Sequence, residues 1–241
     1  MKPSGGVPNL AEVETRYRAA EASIGESPVW PTAAILGAAA LYADLPGRFI
    51  AGTSAGAFAA ARWVVPALTV VLLAALLGTL PMERTLRVHV TRRYLSLGAI
   101  AVVSAANSAS IILLVHLLLN GAHVNAGPLL RAAVHMWVVN VLLFGLWFWQ
   151  LDGGGPLERP KCAPHDRDFL FPQQTEPQLM AGGWQPKFID YLYVSFTNAA
   201  AFSPTDTLPL SRWAKMLMLV QSAISLALAV MVVARAVNIL R

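Results

Sequence analysis

A single cysteine, Cys162, is the only thiol in the chain, which excludes an intrachain disulfide and any cysteine-rich metal site. Charge is scarce as well. Only 13% of the residues are Asp, Glu, Lys or Arg, against 56% hydrophobic, and that balance moves the chain from the soluble to the membrane class. The mean hydropathy of +0.55 agrees. There is no glycine-rich nucleotide loop, nucleophile elbow or HExxH, no internal repeat, and no inverted pair of halves of the transporter kind. Enzymatic chemistry therefore has no constellation to stand on. The chain is read as a non-enzyme with no cofactor, no metal and no nucleic-acid partner.

Residues 1–28 have no apolar run after the basic start, so they do not read as a secretory signal. They form a soluble segment in which Leu10 to Ile24 suits a short charged helix. What the chain does have is a series of apolar runs. Trp30 to Ala43 is 14 residues long, short of the roughly 20 that a spanning helix needs. Val64 to Leu80 is 17 residues closed by Pro81, and Leu95 to Leu119 is 25 residues without Asp, Glu, Lys or Arg. Inside that third run, Ser104 to Ser110 is a patch of small and hydroxylated residues around Asn107, suited to close helix packing and to hydrogen bonds across an interface.

Ala132 to Gln150 is the fourth run, with His135 and Asn140 inside it and Trp147, Phe148 and Trp149 at its end, an aromatic cluster of the membrane-interface type. A lone histidine there is either hydrogen-bonded within the bundle or a proton relay. Arg131 has no basic residue at every third position after it, so the helix is not a voltage sensor. Asp152 to Pro186 is the one long hydrophilic segment and reads as loop. Within it, Asp168 to Pro172 is apolar enough to dock on the embedded part. His165, Asp166 and Asp168 lack a further histidine nearby and do not make a metal site.

The run from Asp190 to Leu240 has three parts in order: a short amphipathic helix, a polar turn at Ala201-Phe202-Ser203-Pro204-Thr205-Asp206, and the 19 uncharged residues from Met216 to Ala234. Non-helical backbone at membrane depth is tolerated only where protein or a water-filled cavity surrounds it. The order resembles the re-entrant pore loop and inner helix of the tetrameric potassium-channel superfamily. Ser195 and Phe196 match the family's opening, Asp206 its acid after the filter, and Pro209 its proline. The filter itself is replaced: its glycines fall on Ser203 and Thr205, its tyrosine on Pro204, and its threonines on Ala200 and Ala201. Pro204 fixes φ and removes an N–H, so a stacked ladder of backbone carbonyls is not expected. About 50 of the 241 residues carry this resemblance. The whole chain also resembles a group of bacterial multi-pass membrane proteins that share the SFTN...AFSPTDT.PL.RWAK run, a likeness that carries no activity.

The expected architecture is all-α: a polytopic membrane protein with about five transmembrane helices and a re-entrant pore helix and loop. It divides into a soluble segment (1–28), a three-helix membrane region (29–127) and a pore-type unit (128–241). The resemblance implies a homotetramer in the cell membrane, with monovalent ions as the solutes. Its pore loop would comprise Asn198, Ala201, Phe202, Ser203, Pro204, Thr205 and Asp206, and its inner helix would be lined by Met218, Gln221, Ser222 and Ser225. A non-conducting membrane scaffold built on the same unit is the alternative. Of the 18 basic residues, only Arg48, Arg62, Arg131, Arg235 and Arg241 fall on the side opposite the pore loop, so the positive-inside rule assigns that loop to the cytoplasm, whereas the resemblance to potassium channels implies the opposite orientation.

Overall fold

The computed structural model describes residues 29–45, 61–78, 86–119, 126–156, 158–162, 167–175, 184–201 and 206–239. The expected Leu10 to Ile24 helix and the Phe202, Ser203, Pro204 and Thr205 portion of the expected pore loop lie outside these residues. Among the described residues the structure is mostly helical, at 86%. The helices are α1 (Val29–Ala43), α2 (Ala61–Gly78), α3 (Leu86–Leu119), α4 (Ala126–Leu151), the single turn α5 (Pro172–Thr175), α6 (Phe188–Ala201) and α7 (Arg212–Ile239). Two strands of two residues each, β1 (Phe169–Leu170) and β2 (Leu208–Pro209), pair antiparallel, Phe169 with Pro209 and Leu170 with Leu208.

Among the described residues, three segments are long and apolar enough to cross a membrane: Val90–Leu118, Gly127–Gly154 and Arg212–Ala234. Val29–Ala43 and Trp63–Ala75 are shorter apolar helices. Because α7 carries apolar residues around its whole circumference, its sequence marks no face as inward, as is usual for helices that meet lipid on one side and protein on the other. Its outer surface bears Leu219, Val220, Leu226, Val230 and Val233, all exposed. A contiguous apolar surface of this kind suits a bilayer rather than water.

The bundle is organised on α4, which packs against α1, α3, α6 and α7. One core layer joins α1 to α4 through Ala34, Ile35, Ala38, Leu73, Ile100, Val103, Val139 and Leu146. Small residues set the spacing between helices: Ala38 and Ala99 are almost fully buried. Of the α3 patch, Asn107 and Ser110 are buried, and Ser104 Oγ accepts the indole N–H of Trp147 at 3.0 Å. The packing role read from the sequence is the one these three residues have. His135 Nδ1 lies 3.5 Å from the Asp44 carboxylate at the end of α1.

At the far end of α4 the backbone turns back over itself. Gly153, Gly154 and Gly155 have φ of 55°, 82° and 100°, which residues with a Cβ seldom adopt. A Cβ on Gly155 would stand 2.9 Å from the carbonyl oxygen of Gln150. This turn directs the chain across the end of α4 and above the entrance to α6.

Candidate functional site

Helix α6 starts on a reciprocal cap. The Lys187 amide donates to the Asp190 carboxylate at 2.7 Å, while the Asp190 amide donates to the Lys187 carbonyl at 3.0 Å, so two of the orphan groups of the first turn are satisfied. Burial raises the Asp190 pKa, opposed by the Lys187 amide and charge. From there α6 runs antiparallel to α4. Tyr191 meets Asp152, the Ser195 hydroxyl donates to the Val141 carbonyl at 2.7 Å, and Phe196 meets Trp137 edge-on at 5.7 Å. The close approach depends on Gly145, where a Cβ would lie 3.2 Å from the Leu192 Cα.

Relative to α7, α6 runs in parallel. Phe169 touches both Tyr191 of the first turns of α6 and Trp213 at the start of α7, at ring separations of 6.2 and 6.3 Å. Seven residues further along α6, Asn198 reaches Met218 and Gln221 of α7. A helix of this length advances about 20 Å, yet Leu208 and Pro209 are back beside β1, where α6 began. Leu208 and Pro209 are thereby held, through β1, beside the start of α6.

The deeper half of α6 is held by uncharged groups. Gln221, which has 0% exposure, donates through Nε2 to the Ser195 carbonyl and hydroxyl at 2.9 and 2.7 Å. Its Oε1 accepts from Asn198 Nδ2 at 2.9 Å, and Asn198 Nδ2 also reaches the Met218 carbonyl at 3.0 Å. The Ser222 hydroxyl donates to Asn198 Oδ1 at 3.2 Å. Asn140 of α4 completes the set by donating to the Ser225 hydroxyl at 3.1 Å. Three helices are thus cross-linked by amides and hydroxyls, the groups that bridge helices in an apolar medium.

This network gathers Asn198, Gln221, Ser222 and Ser225, four of the residues singled out from the sequence, and adds Asn140 and Ser195. Met218 contributes its carbonyl and packs its side chain into the aromatic core with Phe148 and Tyr191. The inward face of α7 therefore runs through Met218, Gln221, Ser225 and Leu228 and is turned into the chain's own helices. Ala201 is the last residue of α6. Asp206 is exposed and stands apart from the network.

The outer end of α6 is held by charge. Asp152 is completely buried, and its Oδ1 accepts the amides of Asp168 and Phe169 at 2.8 and 3.1 Å. Its Oδ2 accepts from the Tyr191 hydroxyl and lies 3.2 Å from Arg159 Nε. Arg159 also donates to the carbonyls of Trp149 and Pro186 and stacks on the Tyr191 ring at 4.6 Å. The Tyr191 phenol is pushed well above its ordinary pKa, first by burial, with Arg159 opposing and the Asp152 charge reinforcing the shift. Around this centre Phe148, Phe169, Phe171 and Tyr191 form an aromatic layer, so the docking expected of the Asp168 to Pro172 stretch is realised by Phe169 and Phe171.

Arg167 lies beside this centre. Its Nη2 donates to the Cys162 carbonyl at 3.3 Å and to Gln185 Oε1 at 3.0 Å. Desolvation lowers its pKa, with Tyr191 and Asp152 opposing. Among the described residues, no group of three or more His, Cys, Asp or Glu side chains suits a metal ion; His165 and Asp166 lie outside them. Asp152, Arg159 and Tyr191 are the residues that sequence reasoning passed over. The only signals were the three consecutive glycines and the Phe-x-Phe spacing at Phe169 and Phe171.

Compared with protein-family models, curated proteins and solved structures, the chain matches none.

Proposed function

We propose that the chain is an ion-channel-like, multi-pass protein of the cell membrane, with about five spans, that assembles as a homotetramer around a re-entrant unit made of α4, α6 and α7. The observation that carries this reading is the course of α6. It enters beside the end of α4, runs parallel to the start of α7 as far as Asn198, and its chain is back at β2 before α7 begins. A helix too short to span, with both of its connections on one side, is the geometry of a pore helix and loop. By the positive-inside argument that side is cytoplasmic.

Gln221 and Ser225 are engaged within the chain, so the α7 surface left for an axis bears Val220, Leu226 and Val230. An apolar constriction gates by dewetting. This same observation favours a second reading, a non-conducting scaffold that uses the unit for assembly. Purified protein in liposomes tests both. The channel reading expects cation flux with little preference for potassium over sodium, reduced by Asp206→Asn at the loop's exit. A potassium preference on the order of hundredfold, the work of a stacked-carbonyl filter, would overturn the altered selectivity. A tetramer without flux would leave the scaffold.

A further inference from the structure

The charged centre at the mouth of α6 does not balance at Arg167. A guanidinium has five N–H donors and stays charged in proteins, and here the two on Nη2 are met by neutral acceptors, the Cys162 carbonyl and Gln185 Oε1. Among the described residues the three on Nε and Nη1 meet no partner, although both atoms are buried and the residue is 4% exposed. The nearest candidate for a counter-charge, Asp152, is taken up by Arg159, Tyr191 and two backbone amides. Asp168 turns its carboxylate to the Gly153 amide at 3.1 Å. No carboxylate among the described residues forms an ion pair with Arg167, and an isolated buried charge is strongly disfavoured unless an opposite charge joins it.

We infer that Arg167 anchors an oxyanion site, taking a phosphate group on its Nε and Nη1 donors beneath the Trp184 to Lys187 segment that leads into α6. Phosphate suits the site because its oxygens accept several charge-assisted hydrogen bonds at once from an arginine. Arg159 lies close enough to Arg167 to weaken its protonation, and the neighbouring carboxylates of Asp152 and Asp168 are both engaged elsewhere, so the unmet Arg167 donors are left for an added anion. The source is either free phosphate or the headgroup of an anionic phospholipid. The aromatic residues Trp149, Trp184 and Trp213 around this end of the bundle are of the type that sits at headgroup level.

Thermal unfolding of the full chain tests the site, with the two sources in separate arms. In detergent, sodium phosphate replaces sodium chloride at constant ionic strength. In nanodiscs, phosphatidylcholine is compared with a phosphatidylcholine and phosphatidylglycerol mixture. The wild type is expected to gain about 5 °C or more at saturation in at least one arm, phosphate identifying the free ion and phosphatidylglycerol alone identifying the headgroup. Arg167→Met is expected to lose that gain while being at least as stable as the wild type without phosphate, since it removes an uncompensated charge. Arg167→Lys retains a charge with fewer donors and is expected to keep a reduced gain. No shift for the wild type in either arm overturns the site, as does an equal shift in Arg167→Met. None of these outcomes depends on conduction, so the site and the channel reading stand or fall separately.

Discussion

At its deep end α6 is held by neutral groups, Ser195 and Asn198 against the Val141 carbonyl, Gln221 and Ser222, whereas at its outer end it is held by Asp152, Arg159 and Tyr191. The difference follows from the medium. Between α4, α6 and α7 a charge would lose its hydration with little in return, while amides and hydroxyls satisfy one another at modest cost. At the end of α4, where Asp168 and Phe169 at the start of β1 aim their backbone amides at Asp152, a carboxylate has enough donors to remain buried. The two ends also differ in completeness. Each amide of the deep network has its partner, but the outer cluster leaves Arg167 partly unmet.

The comparison breaks most readily at Asp152. Asp152→Ala removes the acceptor of four donors and leaves Arg159 buried without its counter-charge, which is expected to cost about 3–5 kcal/mol, read from denaturant unfolding in detergent. Gln221→Leu is expected to cost about 2 kcal/mol, because it leaves one Asn198 donor without an acceptor and removes the amide that donates to the Ser195 hydroxyl and carbonyl. A double-mutant cycle with Asn198→Ala sharpens the point: a coupling near 0.6 kcal/mol is typical of such pairs within a membrane, and a value of zero would separate the two residues. Gly145→Ala sets a methyl group against the Leu192 backbone and is expected to cost about 1 kcal/mol or more while sparing both networks.

The smallest effect belongs to Asp190. Its carboxyl titrates higher in the folded chain than in the unfolded one because burial disfavours its charge. The folded state thus holds that proton more tightly, and the aspartate becomes more favourable to folding as pH falls through its folded pKa. Asp190→Asn keeps an acceptor for the Lys187 amide and is expected to change stability by less than about 0.5 kcal/mol at neutral pH. Melting temperatures measured from neutral to acidic pH should show the wild type gaining on the variant toward acid. A gain toward alkaline pH would contradict the sign.

Much of the helical architecture was legible because long apolar runs favour helices: α3, α4 and α7 fall on runs long enough to cross a membrane, and α1 and α2 on shorter ones. The polar residues of the deep network stood out for the same reason: Asn140, Gln221 and Ser225 interrupt sequences that are otherwise apolar. Their direction did not. A helix that is apolar on every side has no periodicity to distinguish the face toward its own chain from the face toward an axis, so Gln221 and Ser225 were expected to line a pore and are found bonded within the chain. The outer cluster was less legible still. Asp152, Arg159 and Tyr191 are separated by a glycine- and proline-rich loop, and their meeting depends on the φ values of Gly153 to Gly155 and on the pairing of β1 with β2.

The account rests on α6 entering and leaving on one side of the membrane, and thiol accessibility measures this directly. Cys162 reports the loop before α6. In a Cys162→Ser background, Asp206→Cys reports the segment after it, and Arg241→Cys reports the far end of α7. With a membrane-impermeant maleimide applied to intact and then to lysed cells, Cys162 and the Asp206→Cys thiol should behave alike, both protected until lysis, and the Arg241→Cys thiol should label on intact cells. Labelling of Cys162 and the Asp206→Cys thiol from opposite sides would make α6 a crossing helix and contradict the re-entrant unit.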